Sequence, residues 1–165
     1  MAEPIWLSVA RAFVGTTEQV GPGSNPVILQ WAQDLRVPYT GDDTAWCGLS
    51  LNRVLMACQL PLSGKGYDLL RAKSFESWGV PLPQAVPGAV LVFTREGGGH
   101  VGIYTAEDAT HYVVLGGNQS DKVGYARIDK ARLTAVRWPA GVALPTSAPL
   151  IVGQSTSVQT STNEA

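Results

Sequence analysis

Thr40-Gly41-Asp42-Asp43-Thr44 runs through Ala45 into Trp46-Cys47-Gly48, after which Leu51, Val54, Leu55 and Cys58 recur at helical spacing until Leu60-Pro61. A polar loop thus delivers a cysteine to the first turn of a helix whose apolar stripe faces a core. Upstream, Ile5, Val9, Ala12 and Phe13 share a helical face, and Gly15 stops the pattern. Gly21-Pro22-Gly23-Ser24-Asn25-Pro26 then turns into a second helix, with Asn25 as cap, Pro26 at the first helical position, and Ile28, Trp31 and Leu35 as its buried stripe. Residues 67–78 read as a further helix, ended by Gly79 and a connection carrying Pro81, Pro83 and Pro87.

The character of the chain then changes. Residues 89–94, 100–105, 112–115, 123–128 and 135–138 are short apolar or alternating runs separated by Gly, Asp and Asn turns, as in an antiparallel sheet. Helices first and strands afterwards predict an α+β fold, with the Cys47 helix packed on one face of a five- to six-stranded antiparallel sheet. From Pro139 the composition shifts to Ser, Thr, Ala and Pro, which divides the chain into a folded domain over residues 1–139 and a tail, linker or docking segment over 140–165.

With 165 residues and 45% apolar content, the chain can bury one sizeable core. A formal net charge of −1 provides no basic patch for nucleic acid and no polybasic membrane anchor. Residues 1–30 lack a basic region followed by a long apolar stretch, and no segment approaches a spanning helix, so a protein made in the cytoplasm without a signal peptide is expected. Two cysteines are too few for a disulfide scaffold and two histidines few for a zinc site. Chemistry without a metal or other cofactor is therefore expected.

A cysteine in the first turn of a helix feels unsatisfied N–H groups and the positive end of the dipole, both of which favour thiolate. Cys47 is on that ground a candidate nucleophile, against the alternative that it is simply the first residue of the buried stripe. Cys58, eleven residues later, is assigned to the core; the two sulfurs would be about 16 Å apart along the helix, beyond disulfide reach. His100 follows Gly97-Gly98-Gly99 and begins the strand Val101-Gly102-Ile103-Tyr104, where Gly102 on the same face leaves room beside the imidazole. If the Cys47 helix covers that face, thiol and imidazole come within reach. His111, in a turn with Asp108 and Thr110, reads as surface. A third group should orient the imidazole. A hairpin around residues 106–110 puts residue 116, 117 or 118 opposite His100; two of these are glycines, which leaves Asn118, with Gln119 as neighbour and Asp121 as a remoter substitute.

These residues resemble the CHAP-like and NlpC-type papain-fold cysteine hydrolases, especially small phage and prophage members. The resemblance rests on Asp43-Thr44-Ala45-Trp46-Cys47-Gly48, Ala72-Lys73-Ser74-Phe75-Glu76-Ser77-Trp78-Gly79, Pro87-Gly88-Ala89-Val90-Leu91-Val92-Phe93, Gly99-His100-Val101-Gly102-Ile103-Tyr104 and Gly116-Gly117-Asn118-Gln119-Ser120, and it spans about residues 5 to 138. It implies a papain-like fold with Cys47 as nucleophile, His100 as base and Asn118 as the orienting residue. The substrate it implies is peptidoglycan, cut at the lactoyl–alanine amide or at a peptide bond of the stem or cross-link. CHAP members often carry a glutamate two residues before the asparagine; here that position is Gly116. The run Gly15-Thr16-Thr17-Glu18 with Gly21, Asn25 and Pro26 also looks like the phage subgroup's N-terminal segment. Glu18, Trp46 and Gln119 are accordingly candidate substrate-binding residues, and Tyr39 and Trp78 candidate walls that serve equally well as core. The resemblance places the activity at the cell wall or periplasm, by release during lysis or on a phage particle. The competing expectation is a phage tail or baseplate structural component, or a secreted effector, with its papain-like domain docked by the Ser/Thr-rich tail.

Overall fold

The computed structural model describes residues 3–19, 23–39, 41, 45–153 and 158–162. Gly21, Pro22, Thr40, Asp42, Asp43 and Thr44, all used in the sequence reading, lie outside them. The fold is α+β: helices α1 (Ile5–Ala12), α2 (Pro26–Asp34) and α3 (Cys47–Ala57), then a six-stranded antiparallel sheet of β1 (Val80–Pro81), β2 (Val90–Arg95), β3 (Gly98–Glu107), β4 (His111–Gly116), β5 (Gly124–Asp129) and β6 (Leu133–Trp138). The strand order is β1-β6-β2-β3-β4-β5, and α3 lies on β3 and β4 with α1 and α2 beside it. None of the described helices is long and apolar enough to cross a membrane.

Helix α2 begins as the sequence predicts: Asn25 Oδ1 accepts from Val27 N at 2.8 Å, Pro26 occupies the first turn, and Ile28, Trp31 and Leu35 are buried. Helix α1 is rotated from the expected face. Trp6, Leu7 and Ala10 are buried, whereas Ile5 is 61% exposed and Ala12 also faces out. Trp6 sets this phase, because its indole donates to Gly88 O at 2.7 Å and meets Trp138 edge-on at 4.9 Å.

The expected helix over 67–78 is instead two short 3-10 segments, Gly66–Leu70 and Ala72–Ser77, with Arg71 extended between them. Tertiary contacts override the local periodicity. Asn52 Nδ2 on α3 donates to Leu69 O at 3.0 Å, and a Cβ on Gly48 would sit 2.7 Å from Leu70 O, so this segment is drawn down over the start of α3.

All five expected strands form, β3, β4 and β6 longer than expected and β2 and β5 shifted by one residue, and β1 adds a sixth at the edge, where Pro81 removes no required ladder donor. The β3–β4 hairpin pairs Ile103 with Leu115 and Tyr104 with Val114; a bulge at Thr105 then shifts the pairing to Ala106 with Val113.

The tail lies on its own sheet. Ile151 bridges parallel to Glu107 at the end of β3, and Thr160 bridges parallel to Arg127 on the outer edge of β5. Arg127 Nε and Nη2 donate to Asp108 Oδ2 at 3.0 and 2.8 Å, while Nη1 donates to Thr160 Oγ1 at 2.9 Å. His111 belongs to this cluster rather than to the open surface: it is half-buried, with Nδ1 2.7 Å from Thr110 Oγ1 and 3.1 Å from Arg127 Nη2. Burial alone would raise the Asp108 carboxyl, but the N–H groups of Thr110 and His111 and the Arg127 guanidinium outweigh it and hold it well below the usual carboxylate range.

A depressed carboxylate stabilises the fold above its ordinary value of 3.8, and that contribution is lost as pH falls below it. Arg127→Met should strand the buried Asp108 charge and cost about 3–5 kcal/mol in urea unfolding at pH 7. The deficit should shrink in acid, with hydrogen exchange at 158–162 accelerated; an unchanged midpoint at pH 7 would show the pair to be dispensable.

Candidate active site

Cys47 is the first residue of α3 and is 3% exposed. Trp46 precedes it with φ −128° and provides no side-chain cap, and the first intrahelical bond runs from Ser50 N to Trp46 O at 2.9 Å. The helix therefore starts at the cysteine with its first-turn N–H groups not taken by a capping side chain. Cys47 borders a small pocket of about 20 Å³ together with Val101 and Gly102. It also borders an outer cleft of about 350 Å³ together with Gly98 and Gly99. These four residues flank His100 on both sides along β3, so the nucleophile candidate sits against the stretch of strand that carries the imidazole.

A glycine brings helix and sheet this close. A Cβ on Gly117, just past β4, would run into Ser50 Oγ and Trp46 on the first turn of α3. Gly102 serves differently from the sequence reading. The space over it is filled by Val114 Cγ1 of β4 and is not kept open for the imidazole.

His100 is fully buried, with its ring over Phe93 at 6.4 Å between centroids. Its Nε2 lies 2.8 Å from Gln119 Oε1. The Gln119 carboxamide cannot be reversed without loss, since its Nε2 donates to Val114 O at 3.1 Å and to Gly124 O at 2.6 Å. With both N–H groups committed to carbonyls, Oε1 is an acceptor and His100 Nε2 must donate the hydrogen. The neutral ring is then the Nε2–H tautomer, and its basic lone pair is on Nδ1.

The residue on the imidazole nitrogen is thus Gln119, where the sequence reading gives the orienting role to Asn118. The register is as counted, since the ladder at Ile103–Leu115 runs back to set residue 118 across from His100. The ladder ends before that point, however. Asn118, Ser120 and Asp121 all take left-handed φ, at 58°, 53° and 60°, and this turn sends the longer Gln119 side chain under the imidazole. Asn118 is buried at 1% exposure. A Cβ on Gly116 would crowd Gln119 Oε1 at 3.1 Å, so the glycine at this position leaves room for the glutamine.

The other proposed binding residues have different roles. Trp46 is 0% exposed, near Trp31 at 6.4 Å, so it offers no surface to a sugar. Its indole donates to Glu18 Oε1 at 2.7 Å, and Glu18 is half-buried. Glu18 N in turn donates to Asp121 O at 2.8 Å, and Val123 N donates to Thr16 O at 2.8 Å. The N-terminal segment therefore braces both the residue before Cys47 and the loop that carries Gln119. Gln119 is itself buried beneath the imidazole. Trp78 is buried, donating to Pro61 O at 2.9 Å, and Tyr39 is half-buried and packed against the core. Cys58 caps the far end of α3, only partly buried, and burial raises its thiol pKa.

Sequence reasoning missed the cations of the outer cleft, Arg71, Lys73 and Arg95. They come from two separate segments, and only the contact between the 3-10 segments and the β2–β3 turn brings them together. Compared with protein-family models and with curated proteins, the chain gives no match.

The tautomer can be read directly. In Cys47→Ala, long-range ¹H–¹⁵N spectra above the imidazole pKa should show His100 protonated at Nε2. Gln119→Ala added to that background should move a substantial fraction to Nδ1–H. An unchanged pattern would remove Gln119 from the orienting role.

Proposed function

We propose that this protein is a cysteine hydrolase of papain-like architecture that cleaves an amide bond of peptidoglycan. The observation carrying the reading is a cysteine at an uncapped helix start set against the stretch of strand that carries an imidazole, whose Nε2–H is fixed by a doubly anchored glutamine. The choice of peptidoglycan comes from the motifs around Cys47, His100 and Asn118 quoted above.

In this reaction the Cys47 thiolate attacks the amide carbonyl. First-turn N–H groups of α3 donate to the developing oxyanion, each such donor worth about 3 kcal/mol of barrier. The proton held on His100 Nδ1 passes to the leaving amine, and an acyl-enzyme remains. Water then gives a proton back to Nδ1 as it attacks the thioester, which releases the acid and restores the thiolate and the protonated imidazole. Gln119 accepts from Nε2–H throughout, keeping Nδ1 as the exchanging nitrogen.

The reading is tested on purified peptidoglycan, with released muropeptides identified by mass spectrometry so that the same assay names the bond. Cys47→Ala should lower turnover by at least about 10³-fold with the unfolding midpoint retained, and His100→Ala should lower turnover as much but with a lower midpoint, because the buried Gln119 oxygen loses its donor. Cys58→Ala, at the other end of the same helix, should stay within about twofold. Retention of wild-type activity in Cys47→Ala would end the cysteine-hydrolase reading. If the wild-type protein releases nothing while a partner from a phage tail binds through residues 140–165, the structural-component reading takes its place.

A further inference from the structure

The outer cleft in front of Cys47 is lined by Ala45, Leu70, Ala72, Gly98 and Gly99 and by three cations, Arg71, Lys73 and Arg95. No carboxylate appears among the described residues that line it. The chain has 12 Lys and Arg and a formal net charge of −1, so this is a local concentration of positive charge in an otherwise balanced protein.

The three cations are held differently. Arg71 faces Asp68 at 3.8 Å with both side chains more than half exposed, a pair that solvent largely screens. Arg95 is folded back over the β2–β3 turn, its Nε donating to Gly99 O at 3.1 Å. Lys73 is exposed and, among the described residues, makes no hydrogen bond or ion pair. Its stem crosses Gly99, where a Cβ would meet Lys73 Cγ at 2.9 Å and Phe93 O at 3.1 Å. The glycine before His100 therefore has a function that the catalytic trio does not use: it lets a lysine that lines the cleft lie across the strand one residue from the imidazole. A cleft of about 350 Å³ is large enough for a few residues of an extended peptide.

We propose that this cleft is an anion-reading subsite, in which Lys73, assisted by Arg71 and Arg95, binds a free carboxylate of the peptide whose amide faces Cys47. The ligand class is an acidic peptide with unmodified carboxylates, and amidation of those carboxylates removes the recognised group. The inference rests on the hydrolase reading for the identity of the peptide, but binding is measured without turnover.

The test uses full-length Cys47→Ala titrated with the stem tetrapeptide L-Ala-γ-D-Glu-L-Lys-D-Ala carrying free carboxylates, and with the same peptide amidated at the D-Glu α-carboxyl and the C-terminus. Amide shifts of Gly98, Gly99 and Lys73 report on the cleft. The free acid is expected to bind at least about tenfold tighter than the amide, with the difference shrinking as salt is raised. Lys73→Gln should erase the preference and Lys73→Arg should retain most of it, while Arg95→Gln provides an independent reduction. Equal affinity for the two peptides, no binding of either, or a preference that survives both Gln variants would overturn the proposal. If wild-type protein leaves both peptides and purified peptidoglycan uncut while the preference persists, the hydrolase reading fails and the anion subsite stands.

Discussion

The carboxamide of Gln119 joins three strands at one point. Its N–H groups go to Val114 O of β4 and Gly124 O of β5, and its oxygen accepts from His100 on β3. Because the amide is committed at both ends, its orientation is no longer a free variable, and the imidazole above it inherits a single tautomer. Burial makes this arrangement demanding. Each of these polar groups lies away from water, so a reversed amide would set two N–H donors against the donor on the ring and leave a carbonyl facing two carbonyls.

A second set of contacts fixes the cysteine relative to that imidazole. Helix α3 is held from above by the 3-10 segments, through Asn52 and the close pass of Gly48 under Leu70. From below it is met by Gly117 at its first turn. Trp46 is tied through its indole to Glu18, whose own backbone is paired with the Gln119 loop. The Cys47 helix, the His100 strand and the Gln119 loop are thus braced against one another rather than depending separately on the core. Supporting contacts of this kind hold a site to productive geometry.

Much of this architecture is legible in the sequence because it follows from short-range rules. Asn25-Pro26 marks the start of α2, the stripe from Leu51 to Leu55 marks α3, and the alternating runs after residue 89 mark the sheet. What is not legible depends on contacts distant in the chain. The phase of α1 is chosen by Trp6 reaching Gly88, 82 residues away. Residues 66–77 give up a regular helix for contacts with α3. At the site, the hairpin pairing agrees with the count at Ile103–Leu115, where the ladder ends, but a count along an ideal ladder has no place for a left-handed turn. The side chain that reaches the ring is therefore the next one along. The alternation of Asn118, Ser120 and Asp121, short polar residues that tolerate positive φ, around the longer Gln119 is the local signal that points to it.

The tail bears on a different matter. β5 is the last strand of the sheet, and an unpaired terminal strand exposes a row of N–H and C=O groups on which another chain can build. Arg127 N donates to Gln159 O, and Ser161 N donates to Arg127 O, so the chain's own end occupies that row at its midpoint. The segment that reads by composition as a tether also acts as a seal. By taking up the edge in cis it disfavours strand exchange between copies, and it keeps the sheet from acting as a template for its own aggregation.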